Sequence, residues 1–238
     1  MSVLGRFFKA QRAGYIFQQT VEKSMLSNLN NTKKSLLKSI RSNRIIEDDK
    51  VIDAFRTISR ELFVPLNSKK EAYIDAPLSI GYKQTISQPS TVFSMVEALE
   101  LKKTDKVLEV GSGSGYEAAI ISQLCDQVYS VEIVPELVNF AKENLAKAKI
   151  NNVKIIQYDG GLGYEQQAPY DKIVVSAACA EIPQALVEQL KDGGILVAPV
   201  GDGCMQKMIK GVKHNQVLDE TDLGDYIFVS LTGEYGRV

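Results

Sequence analysis

A chain of 238 residues with 45% apolar composition is long enough to bury a substantial core as one domain with an appendage. Its 28 Lys and Arg stand against 29 Asp and Glu, which excludes the basic footprint of a general nucleic-acid binder, and no apolar run approaches the roughly 18 residues of a spanning helix. Neither a nucleic acid nor a membrane is therefore expected as a partner, and the oligomeric state stays open.

The first 21 residues carry Arg6, Lys9 and Arg12 without an acid, together with Phe7, Phe8, Tyr15, Ile16 and Phe17. Such a stretch reads either as an organellar presequence or as a flexible or partner-binding tail, and Gly5 and Gly14 interrupt a continuous amphipathic helix. The expected division is an extension over residues 1–30 and a domain over 31–238. Asn30 to Lys34 reads as a cap and linker, followed by a short helix through Leu36, Leu37 and Ile40. Asp48 then caps a second helix in which Val51, Ile52, Phe55 and Ile58 recur at helical spacing. Ala72 to Tyr82 is an irregular or short-strand passage, Gln84 to Pro89 a polar loop, and Thr91 to Leu99 a helix.

The stretch Lys106 to Tyr116, KVLEVGSGSGY, is the most informative. Val107, Leu108 and Val110 form the apolar run of a buried parallel strand, Gly111, Gly113 and Gly115 follow at alternate positions, and a helical pattern begins at Tyr116. A glycine turn between strand and helix is where a doubly wound α/β fold binds nucleotides. Four more strands follow: Gln127 to Ile133, Val153 to Tyr158, Tyr170 to Ser176 and Ile195 to Val200. Helices are expected at Pro135 to Lys149 and Pro183 to Leu190. Lys207 to Lys213 and Tyr226 to Leu231 have no long helix between them and predict a closing antiparallel hairpin. Cys125, Cys179 and Cys204 lack CxxC spacing and the one histidine, His214, lies on that hairpin. This predicts structural thiols in a reducing compartment and no metal site. The localisation is read as cytoplasmic, or organellar if the N-terminal stretch is a presequence.

A pyrophosphate favours a helix start free of acids, whereas Glu109 lies two residues before Gly111. S-adenosylmethionine presents an ammonium and a sulfonium, which an acid near the loop would attract directly or through water. Glu132, 21 residues after Gly111, ends the second strand of the sheet, where a carboxylate accepts both ribose hydroxyls. Asp159 ends the third and can accept from an adenine amino group, while Gly160 beside it admits the ring.

The chain resembles the protein-L-isoaspartate O-methyltransferase family from about Asn31 onward. The matching stretches are RELFVP (Arg60 to Pro65), AYIDAPLSIG (Ala72 to Gly81), QTISQP (Gln84 to Pro89), LEVGSGSGY (Leu108 to Tyr116), APYDKIVVSAA (Ala168 to Ala178), IPQALVEQLKDGG (Ile182 to Gly194) and PVG (Pro199 to Gly201). The glycine loop is common to many methyltransferases; QTISQP with AYIDAPLSIG is far more specific. The resemblance implies a mainly parallel, doubly wound, seven-stranded Rossmann-like methyltransferase sheet with N-terminal helices, a C-terminal antiparallel hairpin and strand order 3-2-1-4-5-7-6. It implies methyl transfer from S-adenosylmethionine to the free α-carboxylate of L-isoaspartyl residues in damaged proteins or peptides. Ser87 falls at the family's active-site serine, and Thr85 and Ile86 would close over the cofactor. Glu109, Gly111, Ser112 and Gly113 correspond to the methionine-end loop, Glu132 to the ribose ligand, and Asp159 with Gly160 to the adenine edge.

Two departures stand out. Lys83 replaces a small residue before QTISQP, and either favours acidic peptides or points to solvent; Ser230 replaces a proline in FVSL. Two other functions remain open at this point: a methyltransferase for a small-molecule or RNA acceptor, and a non-catalytic cofactor-binding protein. SAAC at Ser176 to Cys179, in place of an NPPY-like tetrapeptide, weighs against base N-methylation.

Overall fold

The computed structural model describes residues 27–235; the N-terminal stretch read as presequence or tail lies outside them. Residues 27–42 form helix α1, in which Leu29, Leu36 and Ile40 are buried. The expected linker at Asn30 to Lys34 is thus part of this helix. Its polar side chains lie on the solvent side, where the Thr32 hydroxyl donates back to Leu29 O at 2.9 Å. Helix α2 (Asp49–Thr57) starts as expected, with the Asp48 carboxylate accepting from the Lys50 N–H at 2.8 Å. Strands β1 (Leu78–Gly81) and β2 (Gln84–Ile86) pair antiparallel around Tyr82 and Lys83, which both have positive φ, 53° and 60°. The passage expected as an irregular stretch and a loop is therefore a small hairpin, and Ser87 sits at its exit. Helix α3 (Pro89–Ala98) follows at once, with Pro89 in its first turn and the Asp75 carboxylate accepting from the Ser90 N–H at 2.9 Å.

Arg60 joins these pieces. Its fully buried guanidinium donates from Nε to Ala72 O at 2.8 Å and stacks 4.9 Å from the centre of the Tyr116 ring. RELFVP, AYIDAPLSIG and the end of the glycine loop are thereby held as one unit.

The remaining elements alternate: β3 (Lys106–Val110), α4 (Tyr116–Ser122), β4 (Gln127–Glu132), α5 (Pro135–Lys147), β5 (Val153–Gln157), β6 (Tyr170–Val175), α6 (Gln184–Gln189), β7 (Leu190–Val200), β8 (Gln206–His214) and β9 (Val217–Tyr226). The sheet order is β5-β4-β3-β6-β7-β8-β9, parallel through β7 and antiparallel for β8 and β9. Successive strand residues serve opposite faces: Val107 joins the core under α2, α3 and α4, while Leu108 and Val110 join the core on the other side. Among the described residues no helix is long and apolar enough to cross a membrane.

Two sequence expectations are corrected here. Numbered from β3, the strand order is 3-2-1-4-5-6-7 rather than 3-2-1-4-5-7-6. Only residues 201–205 connect β7 to β8, with no helix to carry the chain past a neighbour, so β8 folds straight back onto β7. The last strand is also Val217–Tyr226, not Tyr226 to Leu231. It is an edge strand exposed along most of its length and studded with Asp219, Glu220, Asp222 and Asp225, so it lacks apolar alternation; charged edges of this kind resist pairing with other chains. The apolar run that resembled a strand instead leaves the sheet beside Ala178, which donates to Val229 O at 2.8 Å and accepts from the Leu231 N–H at 2.7 Å.

The hairpin is locked to α6 by Lys213, whose buried ammonium donates to Val187 O and Leu190 O, both at 2.7 Å. Lys213→Met leaves these carbonyls unpaired, a loss of about 2 kcal/mol. A thermal melt should show a midpoint lowered by roughly 5 °C; an unchanged midpoint would mean that water replaces the ammonium.

Candidate active site

The site forms where the parallel strands end. After β3 the chain turns through Gly111, and the Gly111 and Ser112 N–H groups both donate to Val131 O, at 2.9 and 3.1 Å. The Gly113 N–H then donates to Glu132 Oε2 at 2.9 Å, and Val134 N–H to Glu132 Oε1 at 3.0 Å. Gly115 begins α4 with φ of 82°, and a Cβ there would lie 3.3 Å from the Ala141 Cβ. A side chain would both strain the turn and separate α4 from α5.

A cleft of about 750 Å³, open at its mouth, lies over this loop. Eight predicted residues line it: Thr85, Ile86 and Ser87 from the end of β2, Gly111, Ser112 and Gly113 from the loop, Glu132 from β4, and Gly160 after β5. A Cβ on Gly160 would lie 2.4 Å from a Val110 methyl, so the backbone must approach the sheet closely at this point.

Two predicted residues do not line the cleft. Glu109 is wholly buried one layer below; it accepts a short hydrogen bond from the Ser130 hydroxyl, which is itself 2.5 Å from the Ser112 hydroxyl. It underpins the loop. Asp159 accepts from the Gly161 N–H at 3.0 Å and from the Glu234 N–H at 2.7 Å, so its carboxylate shapes the turn at Gly160 and holds the C-terminal segment over it.

Other lining residues escaped the sequence reading. Val229, Ser230, Leu231 and Thr232 come from the segment that leaves the sheet, and Ser176 from the end of β6. Ser230, expected to alter a strand edge, is part of this wall. Glu117 was also missed: it lines the cleft at 7% exposure and accepts from the Ser176 hydroxyl at 2.6 Å. A signal for it existed, because every residue of α4 is buried and the one acid in so apolar a helix had to be buried with it. Oε1 of Glu117 and Oε1 of Glu109 have no hydrogen-bond partner.

A second, wider groove of about 1370 Å³ adjoins the first, between α3 and the segment around Asp225 to Phe228. Thr85, Ser87, Ser176 and Val229 line both spaces. The arrangement suits two reactants meeting at a shared wall. His214 is exposed at the end of β8 and is not among the residues lining either space.

A family model for protein-L-isoaspartate(D-aspartate) O-methyltransferase matches residues 30–236. The chain belongs to this family. A protein-L-isoaspartate O-methyltransferase from Methanoculleus marisnigri is 48% identical over 193 residues, 81% of this chain and 88% of that protein. One from Dictyoglomus turgidum is 45% identical over 204 residues, 86% of this chain and 93% of its own. Among solved structures, the Plasmodium falciparum protein-L-isoaspartate O-methyltransferase in complex with S-adenosyl-L-homocysteine is 30% identical, with a TM-score of 0.73 over 84% of this chain and 97% of that one. The methyltransferase sheet and the family expected from the sequence are thus confirmed, with the strand order amended as above.

Burial raises the pKa of Glu109 well above the carboxylate range, and nearby Glu117 raises it further. Burial likewise pushes Glu117 up to about 7, against the lowering effect of the Ser176 hydrogen bond. The folded chain therefore holds protons that the unfolded chain releases, so stability falls as pH rises from the ordinary carboxylate value through the folded one. The melting midpoint should drop between about pH 5 and about pH 8. Glu117→Gln, which cannot ionise, should flatten that drop in a series of melts at fixed ionic strength; an unaltered slope would place the proton elsewhere.

Proposed function

We propose that this protein transfers the methyl group of S-adenosylmethionine to the free α-carboxylate of L-isoaspartyl residues in proteins or peptides, initiating repair through a succinimide. The observation that carries the reading is the position of Ser87 on the wall shared by the cleft and the adjoining groove. Family membership and the product-bound Plasmodium relative support it. The unpaired cysteines Cys125, Cys179 and Cys204 favour a reducing, cytoplasmic setting.

The cleft has the chemistry this donor needs. Glu117 lines the cleft with a side chain whose Oε1 is buried and has no hydrogen-bond partner, so a cation held in the cleft would offset the cost of its ionised form. Both Glu132 oxygens accept a backbone N–H yet retain lone pairs for two ribose hydroxyls. Gly160 lets a flat ring lie close to the sheet, Gly111, Ser112 and Gly113 hold the amino-acid end, and Thr85 and Ile86 cover it. Glu109 and Asp159 support these contacts from behind. S-adenosylmethionine supplies an electrophilic methyl on a sulfonium.

The residues of the chain have little proton chemistry to perform. A carboxylate with a pKa near 4 is ionised at neutral pH and needs no general base. Its orientation is what must be arranged, and fixing a reacting oxygen at about 3 Å from its target contributes the large advantage of an intramolecular reaction. The Ser87 hydroxyl donates to one carboxylate oxygen and leaves the other facing the cleft. The groove beyond accepts the rest of the peptide.

Ser87→Ala removes a hydrogen bond to a charged group, so turnover should fall roughly 10- to 100-fold while donor affinity stays within about twofold. Equal turnover would remove Ser87 from the reaction. With labelled S-adenosylmethionine and matched peptides containing isoaspartate, aspartate or asparagine, only the first should be labelled, with base-labile release as methanol. Equal labelling, or labelling of none, would overturn the assignment of the acceptor.

A further inference from the structure

The transferable methyl must lie where the donor cleft meets the acceptor groove, because it leaves one space for the other. The wall common to both contains Ser87, Ser176, Thr85 and Val229, and none of these carries a charge. One hydrogen bond behind this wall stands Glu117. Its Oε2 is fixed by the Ser176 hydroxyl at 2.6 Å, its Oε1 has no partner, and its side chain lines the donor cleft.

Resting on the donor reading above, we propose that Glu117 makes the site prefer the sulfonium donor over the thioether product. The two ligands share the adenosine and the amino-acid end and differ by the methyl and the positive charge it leaves on sulfur. An ionised carboxylate in a low-dielectric cleft stabilises that charge and gives the neutral thioether nothing comparable. Once transfer has occurred, the same carboxylate loses its counter-charge and product binding weakens.

The groups that bear on this carboxylate come from several elements. Glu109 on β3 lies beneath it, Glu132 at the end of β4 adds to the negative field on Glu109, and Ser176 after β6 donates to it. Arg60 acts on the neighbouring Tyr116. Burial, against the Ser176 hydrogen bond, keeps Glu117 neutral at low pH and leaves it ionised above its raised pKa.

Calorimetric titration of the full chain with S-adenosylmethionine and with S-adenosylhomocysteine, each at about pH 6 and about pH 8, tests the proposal. The ratio of product to donor dissociation constants should rise about tenfold between these values in the native protein and by less than about twofold in Glu117→Gln. Ser176→Ala removes the bond that favours the ionised form, and should move the rise to higher pH. A native ratio that ignores pH, or a Glu117→Gln ratio that follows the native one, would overturn the role of Glu117 while leaving the donor cleft intact. Binding of neither nucleoside to the native protein would overturn the donor reading itself, and this proposal with it.

Discussion

The turn after β3 is held to the end of β4 rather than to its own strand. Two N–H groups converge on Val131 O and a third on the Glu132 carboxylate, so the loop has its shape before any ligand arrives. Everything in the site takes its position from that attachment. Glu132 cannot turn away from the cleft without releasing Gly113, and α4 is aligned by the close contact of Gly115 with Ala141 and by the Asn144 side-chain amide, which donates to Ser114 O at 3.1 Å. The direction of α4 in turn fixes where Glu117 points. A preformed loop of this kind lowers the ordering cost of binding.

The second constraint is electrostatic. Glu109, Glu117 and Glu132 are all buried beside one another, and burial without counter-charge is costly. The hydroxyls of Ser130 and Ser176 and the backbone N–H groups at Glu132 relieve part of that cost, and protonation relieves more. A bound cation would relieve the rest. The site thus stores an unmet demand for positive charge, which matches a sulfonium and opposes a pyrophosphate. On the other side of Tyr116, the buried Arg60 holds Ala72, in the passage that leads into the hairpin carrying Thr85 and Ile86. The glycine loop and Ser87, separate in sequence, in this way line one cleft.

Motifs that looked independent in the sequence proved to be physically joined. Asp75 of AYIDAPLSIG caps the helix that follows QTISQP, and Arg60 of RELFVP binds the carbonyl of Ala72. The sequence reading failed where the deciding information was not local. Val217–Tyr226 carries no apolar alternation because it is an edge strand, while Val229 and Leu231, in the apolar segment after it, line the cleft instead of joining the sheet. Asn30 to Lys34 looked like a linker because polarity alone does not distinguish a loop from the wet face of a helix.

By itself the sequence determined the βα alternation, the glycine loop and the preference for a cationic donor, and the resemblance of QTISQP to a known family singled out Ser87. These depend on patterns within one strand, one turn or one short motif, and such patterns survive being read in isolation. Only the tertiary structure decided the order of the last two strands, the burial of Glu109 beneath its loop, and the engagement of Asp159 by the C-terminal segment. It alone placed Ser176 at the junction of cleft and groove, with Glu117 hydrogen-bonded behind it. Each of those outcomes depends on which distant backbone groups meet a side chain, and that is set by packing across the sheet rather than by neighbours in the chain.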